Sequence, residues 1–209
     1  MTAIIDYGVG NLFSLCSSFA KIGEEAVVTS DVSVIRSADR IVFPGVGAFR
    51  DASKKLAESG LGEVLKEEAA KGKPIIGMCL GMQLLFERSF EYGEYEGVGL
   101  IKGSIRPLSD VVPADLKIPQ MGWNALEFRN GTHPLFKYIK EGDYVYFVHS
   151  YYGTECDEDT IAVTEYGAPV TAAVAHKNVM GCQFHPEKSG DVGLRILRAF
   201  CELKEGSLC

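Results

Sequence analysis

The chain has 209 residues, of which 46% are hydrophobic and 23% are charged, and its formal net charge is -7 at pH 7. Such a length suggests one large domain or two small ones, and the composition is typical of a globular protein with a sizeable core. The acidic balance, without a cluster of Lys and Arg, excludes a nucleic-acid footprint, and no apolar run reaches the length of a membrane span. Because the amino terminus also lacks a basic stretch followed by a long apolar one, we expect a cytoplasmic protein.

The first half of the sequence alternates strand patterns with helix patterns. Strands are predicted at residues 3–6, 26–28, 40–43 and just after Pro74, helical patterns at residues 12–22, 48–56, 61–71 and 80–88, and a short helical or irregular crossing at residues 31–38. This alternation is typical of a parallel sheet covered by helices on both faces. Reactive groups in such sheets gather beyond the carboxyl ends of the strands.

The second half changes character. Glycine-rich strands and turns are predicted over residues 92–128, a short helix over 133–140, strands near 144–148, 160–163, 169–175 and 179–184, and a final helix capped by Asp191. No internal repeat, low-complexity tract or linker interrupts the chain. We therefore predict a single α/β domain with a largely parallel, flavodoxin-like central sheet flanked by helices and an antiparallel, β-rich second half.

The cysteines favour neither a metal site nor a disulfide framework. They are scattered without a CxxC pair or a His spaced to join them, which is typical of reduced thiols. The glycine-rich turns near residues 8–10 and 44–47 do not complete a phosphate-binding signature, so we expect no cofactor. The cysteines are Cys16, Cys79, Cys156, Cys182, Cys201 and Cys209.

One cysteine, Cys79, lies at a predicted strand-to-helix turn. Gly77 and Gly81 stand two positions on either side and remove side chains that would collide in so sharp a turn, as in a nucleophile elbow. The N–H groups at the start of the following helix favour a thiolate there. The alternative is a buried structural cysteine, and we interpret Cys182 in that way.

A histidine and a glutamate near the end of the chain can complete a catalytic set. His185 and Glu187 follow a predicted strand, and Pro186 between them favours an extended His185. In an extended chain, residues two apart point to the same side, so the carboxylate can hold one imidazole nitrogen while the other handles the thiol proton. Cys79, His185 and Glu187 therefore form a candidate triad. Alone, the tripeptide His185-Pro186-Glu187 is a weak signal, because it is more often a surface His beside a Glu.

An attack on a carbonyl also needs hydrogen-bond donors for the oxyanion. The N–H of Leu80, directly after the nucleophile, is one candidate. The loop Pro44-Gly45-Val46-Gly47 is the other, because its glycines let the peptide between Val46 and Gly47 turn its N–H inward or outward at little steric cost. A plain strand-to-helix turn is the alternative interpretation of this loop.

These residues resemble a known family. GMCLGMQ around Cys79 and GCQFHPEKS around His185 are similar to the class I, triad-type glutamine amidotransferases. PGVGAF from Pro44, MGWN from Met121 and FVHSY from Phe147 resemble, within that family, the glutaminase subunits of imidazole glycerol phosphate synthase. The resemblance implies that residues 1–209 form one glutamine amidotransferase type 1 domain.

The resemblance also implies substrates, partners and roles. Cys79 would attack L-glutamine, and the released ammonia would pass to a separate cyclase subunit of (β/α)₈ barrel type, forming a heterodimer that makes imidazole glycerol phosphate and AICAR in histidine biosynthesis. Trp123 is equally consistent with a core aromatic, and Lys188 with a solvated charge. The implied glutamine-binding residues are Gln83, Ser150 and Tyr151, with Gly47 and Leu80, and the implied partner-facing residues are Asn11, Met121, Trp123 and Lys188.

The sequence is also compatible with other functions. A stand-alone glutaminase or a different triad amidotransferase would share the triad but not the acceptor of the ammonia. A flavodoxin-like binding module without catalysis would share the fold, although the missing phosphate-binding signatures count against it. Selective labelling of Cys79 by a glutamine-mimicking alkylator would exclude the binding module.

Overall fold

Strands and helices alternate over the first ninety residues of the computed structural model, which describes residues 1–206, and strands dominate the rest. The strands are β1 (Thr2–Ile5), β2 (Ala26–Thr29), β3 (Arg40–Phe43), β4 (Ile75–Met78), β5 (Phe86–Ser89), β6 (Tyr95–Glu96), β7 (Ile101–Pro107), β8 (Gln120–Ala125), β9 (Glu127–Phe128), β10 (Tyr144–His149), β11 (Tyr151–Thr154), β12 (Thr160–Glu165), β13 (Pro169–His176) and β14 (Val179–Cys182). The helices are α1 (Leu12–Lys21), α2 (Val32–Ser37), α3 (Phe49–Ser59), α4 (Leu61–Ala70), α5 (Leu80–Leu85) and α6 (Gly190–Glu202).

The central sheet has eight strands in the order β2-β1-β3-β4-β14-β13-β12-β9. The strands from β2 to β14 are parallel, and β13, β12 and β9 continue the sheet in antiparallel fashion. The parallel part confirms the predicted flavodoxin-like arrangement. Since β3, β4 and β14 are adjacent and parallel, the segments that follow them meet at one edge of the sheet.

The two faces of the sheet carry separate apolar clusters. Ile5, Phe43 and Ile75 pack with residues of α3 and α4 on one face. Ile4, Val42 and Ile76 pack with residues of α1 and α6 on the other. This period-2 alternation places consecutive strand residues in opposite layers, and both faces are covered by helices as parallel strands require.

Two smaller sheets extend the second half of the chain. Strands β10 and β8 form an antiparallel pair, and β11-β7-β5-β6 form a four-stranded mixed sheet. Strand β10 lies next to the turn that follows β14, where the His185 N–H donates to the Tyr146 carbonyl at 2.9 Å. None of the helices in the described part of the chain is long and apolar enough to cross a membrane.

Several predicted helix boundaries were wrong. The predicted helix over residues 80–88 ends at Leu85, because Phe86–Ser89 pairs as a strand with β7 and β6. The predicted helix over 133–140 is reduced to a 3₁₀ segment, Pro134–Phe136. The last helix follows Ser189 rather than Asp191, which lies in its first turn.

Candidate active site

Cys79 occupies a strained turn between β4 and α5. Its backbone has φ 53° and ψ -112°, a combination that non-glycine residues rarely adopt. The Cys79 N–H donates to the Cys182 carbonyl at 2.7 Å, which ties the turn to the end of β14. The strained backbone is the geometry expected of a nucleophile elbow.

Neither flanking glycine leaves room for a side chain, because other atoms approach both closely. A Cβ on Gly77 would lie 2.7 Å from the Gly81 carbonyl oxygen, and a Cβ on Gly81 would lie 1.9 Å from the Phe43 carbonyl oxygen. The second contact joins the elbow to the end of β3, so the absence of these side chains sets how closely the two loops meet. The sequence predicted the role of both glycines within the turn but not the close approach of Gly81 to β3.

His185 and Glu187 meet just after β14. The His185 Nδ1 lies 2.8 Å from the Glu187 Oε1, and the two side chains are 4% and 3% exposed. His185 is extended, as predicted, with φ -102° and ψ 98°, but Pro186 begins a 3₁₀ turn, Pro186–Lys188, so Glu187 reaches His185 across a turn rather than along an extended segment. The carboxylate fixes the tautomer and orientation of the imidazole.

The charge of His185 is set by competing effects. Burial disfavours the imidazolium, but hydrogen bonds to Cys79 and Glu187 and the charges of both groups outweigh it and raise the pKa of His185 to about 9. The second carboxylate oxygen of Glu187, Oε2, is buried without a hydrogen-bond partner. The buried site therefore favours a protonated imidazole between sulfur and carboxylate at neutral pH.

A cavity of about 390 Å³ opens at this position. It is lined by Cys79 and His185, by the loop after β3, and by segments of the smaller sheets around Glu91 and Ser150. Its volume is in the range expected for a small-molecule site. The predicted oxyanion and glutamine-binding residues all line it: Val46, Gly47, Leu80, Gln83, Ser150 and Tyr151.

The loop after β3 is anchored at its base and open at its tip. The Tyr7 hydroxyl donates to the Pro44 carbonyl at 2.8 Å, and a Cβ on Gly45 would lie 2.6 Å from the Gly81 nitrogen. Val46 and Gly47, by contrast, are exposed, and Gly47 has φ 100° with no atom near its would-be Cβ. Leu80 is the first residue of α5, so its N–H has no acceptor within the helix.

Sequence reasoning missed several residues of the cavity. His149, which ends β10, places Nδ1 2.8 Å from the Tyr151 carbonyl oxygen, so this nitrogen carries the proton. Burial, despite that hydrogen bond, lowers the pKa of His149 to about 4, and the nearby His185 charge lowers it further. FVHSY contained this histidine as part of the resemblance, but nothing in its spacing indicated that it faces the cavity.

Glu91 and Tyr92 are the other missed polar residues, because no motif surrounds them. Glu91 accepts the Phe49 N–H at 2.6 Å, and burial raises its pKa, a rise that this hydrogen bond opposes. The Tyr92 ring stands edge-on to the Tyr151 ring at 6.2 Å. Both therefore border the part of the cavity nearest Tyr151.

The four predicted partner-facing residues are not all alike in exposure. Met121 and Trp123, on β8, are 64% and 52% exposed, so Trp123 is not the core aromatic that the sequence left open. Asn11 caps α1 by accepting the Ser14 N–H at 3.4 Å and is half-buried. Lys188 is exposed beside His185 and also lines the cavity.

Among the described residues, the remaining cysteines do not line the cavity, and no metal-binding cluster is found. Cys182 is fully buried, as predicted for a core residue, and burial and the Glu187 charge raise its pKa. The described cysteines are free, and Cys209 lies outside the described residues. Within residues 1–206, no cluster of His, Cys, Asp and Glu has a metal-binding arrangement.

Comparison with solved structures supports the fold. A crystal structure of a glutamine amidotransferase superposes with a TM-score of 0.74 at 17% identity, covering 96% of this chain and 97% of that one. The structure of PurLQS from Thermotoga maritima gives a TM-score of 0.73 at 18% identity and covers 96% of both chains. At these identities the likeness concerns the fold alone.

Sequence comparison is more specific. The family model for class I glutamine amidotransferases matches residues 3–202. Imidazole glycerol phosphate synthase subunit HisH of Caldanaerobacter subterraneus subsp. tengcongensis is 50% identical, with 97% of this chain and 98% of the relative covered. The HisH subunit of Sulfurimonas denitrificans is also 50% identical, with 98% and 99% covered. The chain therefore belongs to the class I glutamine amidotransferase family, among the relatives of the HisH subunits.

Proposed function

We propose that this chain is a glutaminase subunit that hydrolyses L-glutamine to L-glutamate and ammonia through a glutamyl thioester on Cys79. The observation that carries the proposal is that Cys79 and His185 line one cavity, although more than a hundred residues separate them, and that Glu187 is hydrogen-bonded to His185. The sequence identity to HisH subunits over nearly the whole chain supports it. On this proposal the chain acts as one glutamine amidotransferase domain.

The proposed reaction has two halves. The Cys79 thiolate attacks the side-chain amide carbon of glutamine, and the His185 imidazolium gives its proton to the departing nitrogen, so ammonia leaves and a thioester remains. Neutral His185 then takes a proton from water, which attacks the thioester and releases glutamate. The proton returns His185 to its imidazolium form, and the thiolate is restored. Glu187 keeps the imidazole oriented throughout.

The other cavity residues have positioning roles in this proposal. The N–H groups of Leu80 and Gly47 stabilise the oxyanion, the latter when the Val46–Gly47 peptide points inward. The remaining contacts with glutamine come from Gln83, Ser150 and Tyr151. Loss of one oxyanion donor raises the barrier by roughly 2.7–4 kcal/mol, so an outward peptide would leave the isolated subunit nearly idle.

The relatives' names indicate a subunit of a larger synthase. We propose a heterodimer with a separate cyclase subunit of (β/α)₈ barrel type, which uses the ammonia to make imidazole glycerol phosphate and AICAR in histidine biosynthesis in the cytoplasm. The exposed apolar side chains of Met121 and Trp123 support a protein partner on this face. Asn11 and Lys188 are the polar members of the proposed interface.

An ammonia-release assay tests the proposal. The chain is assayed alone, then with the cyclase subunit, and then with the cyclase and its nucleotide ligand. We expect low release by the chain alone, a large increase with the liganded cyclase, and none from Cys79→Ala under any condition. Equal release in all three conditions would instead identify a stand-alone glutaminase, and normal release by Cys79→Ala would refute the triad.

A further inference from the structure

A buried side-chain amide lies directly behind the nucleophile. Gln183 is fully buried just after β14, where its backbone N–H donates to the Ala172 carbonyl at 2.8 Å. Its Nε2 lies 3.8 Å from the Cys79 Sγ, and its Oε1 lies 3.0 Å from the Gln83 Nε2. Gln183 therefore joins the proposed nucleophile to a side chain that lines the cavity.

The orientation of this amide follows from a backbone carbonyl. The Gln83 Nε2 lies 3.1 Å from the Tyr151 carbonyl oxygen, which can only accept, so Gln83 must present its NH₂ group there. The same NH₂ group also donates to Gln183, so the side-chain carbonyl oxygen of Gln183 must be the acceptor. The NH₂ group of Gln183 is consequently directed at Cys79, and the opposite orientation would bring two donors together.

This arrangement gives the sulfur a donor in addition to His185. Hydrogen bonds to charged groups contribute more than those between neutral groups, and more still where water is excluded. We propose that Gln183 is a positioning residue that donates a hydrogen bond to the Cys79 thiolate and, through its carbonyl oxygen, fixes the Gln83 amide at the glutamine pocket. This inference rests on the proposed function and adds to it a residue that stabilises the attacking form of the nucleophile.

The first test is the pH profile of Cys79 alkylation by iodoacetamide, located by peptide mapping, with Cys79→Ala as the blank. Gln183→Met keeps the side-chain length but removes the donor, and we expect the midpoint of the profile to rise by about one pH unit. Gln183→Glu sets a carboxylate against the sulfur and should raise the midpoint further. In both variants, kcat/KM for glutamine should fall by about tenfold or more.

A matched control separates this role from a structural one. Asn178 is also buried and directly precedes β14, whereas Gln183 directly follows it. The Asn178 side-chain amide donates to the Ala69 and Lys73 carbonyls at 2.9 and 2.8 Å. Asn178→Ala also removes a buried amide, so it should lower the unfolding temperature without moving the alkylation midpoint. If the Gln183 variants behave like Asn178→Ala, with lower stability but an unchanged alkylation profile, the proposal is overturned.

A measurement on the unmodified sequence covers the case in which the Gln183 variants do not fold. Gln83, Gln120 and Gln183 are the only glutamines of the chain, so selective ¹⁵N labelling of glutamine side chains gives three NH₂ signals. We expect the Gln183 signal to shift with the same midpoint as Cys79 alkylation, and to lose that shift in Cys79→Ala. A signal that does not respond would refute the hydrogen bond. Neither readout requires glutaminase activity, so failure of the proposed function would be recognised separately in the ammonia assay.

Discussion

At the scale of single residues, the imidazole of His185 is held between a sulfur and a carboxylate. The hydrogen bonds and charges of Cys79 and Glu187 outweigh the effect of burial and raise the pKa of His185 to about 9. This folded-state pKa lies above the ordinary value of about 6.5. Protonation of His185 therefore contributes to the stability of the fold fully below about pH 6.5, and this contribution is lost as the pH rises through about 9. The same protonation equilibrium should govern catalysis.

We expect thioester formation to decline as the pH rises through about 9, since neutral His185 has no proton for the departing ammonia. Single-turnover formation of the glutamyl thioester, followed across this pH range by quenched flow and mass spectrometry, checks the prediction. In Glu187→Gln the carboxylate charge is lost, so the decline should begin at lower pH. A rate that stays level well above pH 9 in the parent protein would contradict the assigned proton donor.

Removal of the nucleophile should separate chemistry from stability. Cys79→Ala should abolish glutamine hydrolysis while changing the free energy of unfolding by only about 1 kcal/mol, because a single sulfur is lost from a turn that neighbouring backbone contacts hold in place. Urea denaturation and the ammonia assay measure the two quantities.

His185→Asn should reduce the rate of glutamine hydrolysis by more than the roughly 10²–10⁴-fold expected for loss of general acid–base catalysis alone, because thiol activation is lost as well.

At the scale of elements, the elbow between β4 and α5 and the loop after β3 behave as one unit. A Cβ on Gly81 would lie 1.9 Å from the Phe43 carbonyl oxygen, so neither backbone can stay in place if the residue is enlarged. The Pro44 carbonyl is in turn held by the Tyr7 hydroxyl. Any change in the elbow is therefore transmitted to the proposed oxyanion loop.

Gly81→Ala should accordingly destabilise the protein by several kcal/mol and abolish glutaminase activity, because backbone must move on both sides of the contact. Gly62→Ala is the matched control. Gly62 lies in α4, where a Cβ would have only ordinary contacts with Leu56 at 3.6 Å, so this change should raise stability by up to about 1 kcal/mol and leave activity unchanged. Thermal unfolding of both variants gives the comparison, and equal stability of the two would refute the close approach.

The elements also show what the sequence could and could not predict. The parallel strands and the elbow at Cys79 followed from apolar runs bounded by glycine and proline, which are local signals. Residues 86–88 were predicted as the end of a helix because their composition suits a helix, yet Phe86–Ser89 forms a strand that pairs with β7 and β6, and no local signal reports such a tertiary contact. Glu91 and His149 were missed for the same reason, since only the folded chain brings them to the cavity.

At the scale of the whole molecule, the cavity and the exposed apolar side chains share one region. Met121 pairs with Val148 across β8 and β10, and Val148 itself lines the cavity beside Cys79. Trp123 is two residues further along β8 and contacts the Tyr146 ring edge-on at 5.9 Å. A partner seated on this face would therefore contact strands that also border the proposed active site.

Trp123→Ala should weaken association with the cyclase subunit by about 2–4 kcal/mol, or roughly 30- to 1,000-fold in Kd, because a half-exposed tryptophan at an interface is a typical hot spot. Isothermal titration calorimetry measures the affinity. Tyr138→Ala is the matched control, since Tyr138 is an aromatic residue whose hydroxyl binds Glu202 at the end of α6. Its removal should leave the affinity unchanged. If Trp123→Ala binds as tightly as Tyr138→Ala, the interface lies elsewhere, and the proposed link between this face and the active site fails with it.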